Sequence, residues 1–209
     1  SRSGGVRASD PSDEHVEVVP PSDRGAMVAA IGDAFAEHPM IPADPTGGKS
    51  RLMAVAMLDA FADAPDHRWF GVRRGGELAC VAFVYGYGYD PPLRKMPRML
   101  WRMVRMVGLR KAVTYGRLMS EKHPGDDRRL QLLILGTAAA HQGKGLGRVM
   151  MRHVIGFAEG RGYDAVVLEV AKHTPAYGFY EREGFVVEKE IALPEMPLVY
   201  MRREISRAV

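Results

Sequence analysis

The stretch from Leu130 to Arg148 constrains this chain more than any other. Leu130-Gln131-Leu132-Leu133-Ile134-Leu135 is a short apolar run broken by one amide, followed by Gly136-Thr137, three alanines and then His141-Gln142-Gly143-Lys144-Gly145-Leu146-Gly147-Arg148. An apolar run of this length reads as a strand buried on both faces. The glycines let the backbone turn sharply and come close to a ligand. Beyond them an amphipathic helix is expected over residues 142–159. The first N–H groups of such a helix have no intrahelical acceptor and point outward with the positive end of the dipole, which suits a phosphate or pyrophosphate. Lys144 and Arg148 add positive charge beside it.

The spacing narrows the ligand. A Gly-x-Gly-x-x-Gly fingerprint fails, because Gly143 and Gly145 are followed by Arg148 where the third glycine belongs. Gly47-Gly48-Lys49-Ser50 imitates the tail of a Walker loop. Its first glycine would fall on Ala43, in a proline-rich segment, and Ser50 is expected to cap a helix instead. What the turn does satisfy is Gln/Arg-x-x-Gly-x-Gly/Ala, through Gln142, Gly145 and Gly147.

The remaining segments alternate. His15–Val19 is rich in β-branched residues and reads as a strand closed by Pro20-Pro21. Ser22-Asp23 offers caps to a helix reaching about Glu37, and a second helix is expected over 49–61. Residues 68–72 and 77–85 flank Arg73-Arg74-Gly75-Gly76, a hairpin signal. After the glycine-opened helix come a strand over 164–170, a short helix over 175–182, and strands over 185–188 and 198–202. Strands alternating with helices, with hairpins at both ends, imply a mixed α/β sheet with helices on its faces.

Composition sets the outer bounds. A chain of 209 residues can hide roughly 70% of its unfolded surface without disulfides. One cysteine, Cys80, excludes an intrachain disulfide and a cysteine zinc cluster. The histidines lack His-Glu-x-x-His spacing, so no metal is expected. A net charge of +4 is mild for a polyanion binder. No apolar stretch reaches the length of a membrane span and residues 1–5 lack a signal-peptide core, so a cytoplasmic protein is expected. Residues 1–14 are expected as a disordered leader and 15–209 as a single domain.

A second motif follows the glycine turn in order: Tyr177-Gly178-Phe179-Tyr180-Glu181-Arg182-Glu183-Gly184-Phe185. Together with Gln142, Gly145 and Gly147, it resembles the GCN5-related N-acetyltransferase (GNAT) superfamily. The resemblance is firmest over residues 130–188. Within the superfamily the chain is most similar to the puromycin-acetyltransferase-like group, which shares His-Gln-Gly-Lys-Gly-Leu-Gly, Phe-Tyr-Glu-Arg-x-Gly-Phe and an Ala-Phe-Ala segment, here Ala34-Phe35-Ala36.

The resemblance implies a mixed, mostly antiparallel sheet whose fourth strand bulges and splays from the fifth. It implies acetyl-CoA as co-substrate, its pantetheine arm against the backbone of Leu135, Gly136 and Thr137. The pyrophosphate would sit on the amides of Gln142, Gly143, Lys144, Gly145, Leu146, Gly147 and Arg148. Tyr180 matches the tyrosine that protonates the departing thiolate. A phenol with a pKa of about 10 is protonated at neutral pH and suited to that task. Tyr177 would line the site, and His173 stands where the family often has Asn. The acceptor would be an amine of a small molecule; a protein or peptide amine, or a non-catalytic CoA-binding module contacting nucleic acid through the basic insertion, are the alternatives.

The general base is left open by the sequence. Glu169 is the first candidate, because a carboxylate within Val-Val-Leu-Glu-Val either faces the slot or points to solvent. His141 and Glu37 follow it.

Residues 91–120 read as a basic helical insertion, with eight cations, no acid and five of the thirteen methionines. Spacing puts Arg94, Arg98, Arg102 and Arg105 on one face, with Met96, Met99, Leu100, Met103 and Met106 on another. A lid beside the acceptor site is expected. Trp101 and Tyr115 are too few for a nucleic-acid stacking platform, and neither a nucleic-acid nor a membrane partner is expected. A homodimer through exposed sheet edges is left open.

Overall fold

The computed structural model describes residues 15–36, 41, 46–113, 128–191 and 197–206. The expected leader, Glu37 and residues 114–120 of the insertion lie outside the described residues. Seven strands form one sheet: β1 (Glu17–Val18), β2 (Arg68–Arg74), β3 (Glu77–Gly86), β4 (Arg129–Thr137), β5 (Ala165–Ala171), β6 (Val186–Ile191) and β7 (Leu198–Glu204). Their spatial order is β1-β2-β3-β4-β5-β7-β6. All neighbours are antiparallel except β4 and β5, which run parallel.

The β2–β3 hairpin turns through Gly75 and Gly76, whose φ angles are +58° and +86°. Consecutive left-handed residues match the twist of the flanking strands, and glycine adopts them without strain.

Helices cover both faces. Helices α1 (Arg24–Ala34) and α2 (Gly48–Phe61) pack on one, burying Met27, Ile31, Leu58 and Phe61 against Phe83, Val81 and Ile134. Helix α4 (Leu146–Gly160) buries Leu146, Met150, Met151 and Val154 on the other, against Val84, Leu132 and Leu168. Helix α5 (Pro175–Arg182) adds Tyr180 to that second face. Helix α3 (Met96–Val107) lies beside α2.

Three helix starts differ from expectation. Pro21–Asp23 forms a 3-10 turn ahead of α1, and neither Ser22 nor Asp23 caps through its side chain. Gly47, left-handed at φ +65°, is the cap residue of α2. Ser50 sits inside the first turn, its hydroxyl donating to the Gly47 carbonyl at 3.0 Å. Helix α4 begins at Leu146 instead of Gln142, because Gly143 and Gly145 have φ of +73° and +83°, outside the right-handed helical region.

Candidate active site at the β4–β5 slot

Strand β4 carries a bulge. Phe83 pairs with Ile134 and Val84 with Leu132, leaving Leu133 as the extra residue. A bulge bends its strand and increases local twist. The parallel ladder to β5 covers only Arg129–Ala165, Leu130–Val166 and Gln131–Val167, and no β4–β5 pair follows it among the described residues. From Leu132 onward β4 remains paired with β3, so its other backbone edge opens toward a slot. A strand edge without a partner presents N–H and C=O groups that an amide-bearing chain can pair with.

Leu135, Gly136 and Thr137 lie on this open length, paired across β3 with Ala82, Val81 and Cys80. Gly136 has a packing reason to be glycine. A Cβ there would lie 2.6 Å from Ala34 Cβ and 3.2 Å from Phe35 Cε2, so α1 closes directly over it. The Thr137 carbonyl is already taken by Gln142 Nε2 at 3.2 Å, and its hydroxyl meets Cys80 Sγ at 3.4 Å. Burial pushes the Cys80 thiol up to about 11, so it stays protonated and is a poor nucleophile at neutral pH.

The glycine turn presents its amides unevenly. Gln142 N–H donates to Ala139 O and Arg148 N–H to Gly145 O. Among the described residues, no backbone acceptor takes the amides of Gly143, Lys144 and Gly145, and Leu146 and Gly147 open α4. The open cradle is therefore 143–147, narrower than the expected 142–148. Lys144 Nζ folds back on Ala140 O at 2.8 Å, and Arg148 pairs with Glu183 at 3.1 Å. A Cβ on Gly143 or Gly145 would meet nothing within 4 Å, so these glycines are required by their positive φ and not by crowding. Gly147 is different: its Cβ would touch Phe179 at 3.5 Å.

On the α4 side of the slot, Tyr180 packs with Phe179 and Phe185 at ring-centroid distances of 5.3 and 5.6 Å. Burial, and then the nearby Cys80, hold its phenol well above the ordinary tyrosine range. Its hydroxyl has no hydrogen-bond partner among the described residues, which leaves the proton available to a ligand. Tyr177 lies one turn earlier, and the neighbouring Glu181 carboxylate raises its pKa. His173 is exposed at φ +64°, a turn residue between β5 and α5. The capping falls to Thr174, whose hydroxyl oxygen accepts from Tyr177 N–H at 3.2 Å and donates to Ala171 O at 2.7 Å.

Glu169 belongs to the other face. Leu168 and Val170 point into the core beneath α4, and strand alternation sends Glu169 to the opposite side. There Gln131 Nε2 donates to Glu169 Oε2 at 3.1 Å. Exposure and enclosure diverge at this residue: the side chain as a whole retains solvent contact, yet protein surrounds the carboxylate closely. Enclosure governs proton affinity, and desolvation pushes Glu169 up to about 7, against the opposing pull of the Gln131 bond. Tyr85, also on this face, is raised by burial and by the Glu169 charge. His141 sits in the 3-10 turn before the glycines, half-buried.

Gln131 was legible but missed. It breaks an apolar strand just as Glu169 does, and the two lone polar residues meet. Its Oε1 is buried without a partner among the described residues. Turning the amide over would set Oε1 against the carboxyl, where protonated Glu169 could donate to it.

The profile of the acetyltransferase (GNAT) family matches residues 40–185. The chain belongs to this family, and the bulged β4, the β4–β5 splay and the helix-covered sheet are its fold. Among curated proteins it is 43% identical over 60 residues to streptothricin acetyltransferase of Streptomyces lavendulae, covering 28% of this chain and 32% of that one. It is 36% identical over 58 residues to rat (Rattus norvegicus) N-acetyltransferase 8B, covering 28% and 26% respectively. The chain thus spans about a third or less of the curated relatives it matches. A solved Corynebacterium glutamicum structure, titled histone acetyltransferase HPA2 and related acetyltransferase, superposes with a TM-score of 0.66 at 24% identity, over 93% of this chain and 98% of that one. Arylalkylamine N-acetyltransferase 2 of Aedes aegypti superposes at 0.67 with 14% identity, over 93% and 100%. At these identities the likeness concerns the fold.

Proposed function

We propose that the chain is an acetyl-CoA-dependent N-acetyltransferase that moves an acetyl group to an amine of a small molecule by direct attack within a ternary complex. The observation that carries this reading is the slot itself. The strands part just past Gln131 and Val167, with Glu169 on one face of the sheet and Tyr180 on the other. A thioester threaded between β4 and β5 would be open to an amine from the α1–α2 side and to a proton donor from the α5 side. The small-molecule acceptor is supported by the relative named for streptothricin.

The residues present fit acetyl-CoA. The amides of 143–147 form a cradle for its pyrophosphate, and the open edge of Leu135 and Gly136 can pair with the amide-bearing arm. Bound there, acetyl-CoA supplies an activated acyl thioester. Glu169 takes the proton of the incoming ammonium. Removing that proton in water at pH 7 costs about 4–5 kcal/mol for an alkylamine of pKa about 10.4, and a carboxylate near 7 is matched to the operating pH. The amine nitrogen then bonds to the acyl carbon, the carbon–sulfur bond breaks and Tyr180 Oη delivers its proton to the sulfur; the surplus proton on the new amide nitrogen restores the phenol through solvent, and Glu169 releases the proton it took to bulk water.

Calorimetric titration with acetyl-CoA tests the cofactor. Micromolar binding is expected for the wild type and at least a tenfold loss in Gly145→Asp, which sets a carboxylate beside the phosphates. The Asp variant should stay folded, since Asp tolerates left-handed backbone better than most residues. No binding by the wild type would overturn the reading. A thiol-release screen of small amines against peptides then separates the small-molecule reading from a protein or peptide acceptor. Binding without release from any amine would favour the non-catalytic alternative.

Tyr180→Phe is expected to lower kcat by about 100-fold or more with little change in acetyl-CoA affinity. A donor carrying a less basic thiol should recover most of the loss. Equal defects with both donors would assign Tyr180 to packing alone.

A further inference from the structure

Among the described residues, the connection between β3 and β4 adds no strand to the sheet, and its two sides are chemically distinct. Its inner side is matched to α2. Lys95 pairs with Asp63 at 2.8 Å, Arg102 pairs with Asp59, and Met99 packs on the core beneath α1 and α2. Arg102 is therefore turned inward by a carboxylate on another helix, and not outward with Arg98 and Arg105 as spacing alone implied.

The outer side is both apolar and cationic. Of the nine large hydrophobic residues exposed among the described residues, six fall within 93–113, and three of these, Met96, Leu100 and Trp101, are on α3 itself. Leu93 is 86% exposed and Trp101 56%. Beside them Arg98 and Arg105 have no carboxylate partner among the described residues. Arg105 lies over the Trp101 ring at 4.9 Å. Residues 93–113 hold seven cations and no acid in a chain of net +4, so the rest of the chain is net acidic.

We infer that this outer face of α3 docks on an anionic lipid bilayer. A water-facing helix gains nothing from clustering Leu100 and Trp101, and one facing a protein core would not set beside them arginines that have no carboxylate partner among the described residues. The headgroup zone accepts both at once: aromatic and aliphatic groups enter the acyl boundary while guanidinium groups stay among phosphates. A second copy in a two-fold contact would set Arg98 and Arg105 against their own like charges. A nucleic-acid backbone would leave the outward leucines without partners. No helix among the described residues is long and apolar enough to cross a membrane, so the association is peripheral. It departs from the expectation of no membrane partner, and it does not depend on acetyl transfer.

The full chain reports on this directly, because it has two tryptophans. Trp69 is buried and stacked on Phe83 at 4.4 Å, so a lipid-induced change in emission comes from Trp101. Vesicles of equimolar phosphatidylglycerol and phosphatidylcholine should sediment the protein and shift its emission to the blue. Pure phosphatidylcholine and high salt should do neither. The doubly substituted Arg98→Glu, Arg105→Glu protein, checked for an unchanged melting temperature, should bind anionic vesicles at least tenfold more weakly. Trp101→Phe should abolish the emission shift. Failure to sediment with anionic vesicles would overturn the inference. So would undiminished binding after charge reversal, or a blue shift that grows with protein concentration in the absence of lipid, which would mark self-association.

Discussion

Glu169→Gln is expected to reduce kcat by about 100- to 10,000-fold, the range usual for loss of a positioned general base. The wild-type rate should climb as pH rises through about 7, where Glu169 loses its proton, whereas the residual rate of the variant should follow the free amine alone. Binding of acetyl-CoA should be nearly unchanged, because Glu169 lies on the face away from α4. A variant with full activity, or the same pH profile, would remove Glu169 from the mechanism and shift attention to a water path. Gln131 enters as a positioning group. Gln131→Leu should lift the Glu169 pKa further by removing a hydrogen bond to its charged form, moving the pH profile to higher values.

Glu169→Gln also changes stability, with a definite sign. The folded-state pKa of Glu169 lies above its ordinary value of 4.5, so between pH 4.5 and about 7 the folded protein holds a proton that the unfolded chain has released. Stability from this group is therefore present at low pH and lost as pH rises through that window. Glu169→Gln should melt higher than wild type at pH 8, and the gap should narrow toward pH 5. A uniform loss of melting temperature would mean that the carboxylate is paired more favourably than its surroundings suggest.

Gly136→Ala is expected to destabilise the protein toward the upper end of the ~1–3 kcal/mol typical of overpacking. At about 2–4 °C per kcal/mol for a chain of this size, melting should fall by roughly 5–10 °C. The added methyl would meet Ala34 Cβ at 2.6 Å, and Ala34 sits on the last turn of α1, where retreat moves the helix. Ala34→Gly in the same chain should restore part of the loss, since the two positions contact each other and their effects are not additive. An alanine variant as stable as wild type would show that α1 has slack at the end of β4. By contrast, Gly145→Ala meets open space, and its effect is confined to left-handed strain.

Much of the scaffold was readable from residue order. The buried strand around Leu132, the hairpin at Gly75-Gly76 and the 175–182 helix follow from local periodicity and turn chemistry, which act within a few residues. The glycine turn was readable too, although the start of α4 was not: two left-handed glycines delay the helix to Leu146, and sequence alone does not say which glycines of the turn adopt that conformation. The inward turn of Arg102 was invisible, because Asp59 lies 43 residues earlier on a different helix.

What the sequence by itself determined, then, is the set of elements and the chemistry they carry: a strand leading through glycines to a helix, a tyrosine on the helix after β5, and one carboxylate in an apolar strand. Those are local facts of periodicity, backbone freedom and side-chain type. The tertiary structure alone decided where that chemistry meets. The bulge at Leu133 turns β4 away from β5, alternation places Glu169 and Tyr180 on opposite faces of the opening, and enclosure by distant segments sets both proton affinities. Desolvation and strand separation arise from groups far apart in the chain, so no window of sequence contains them.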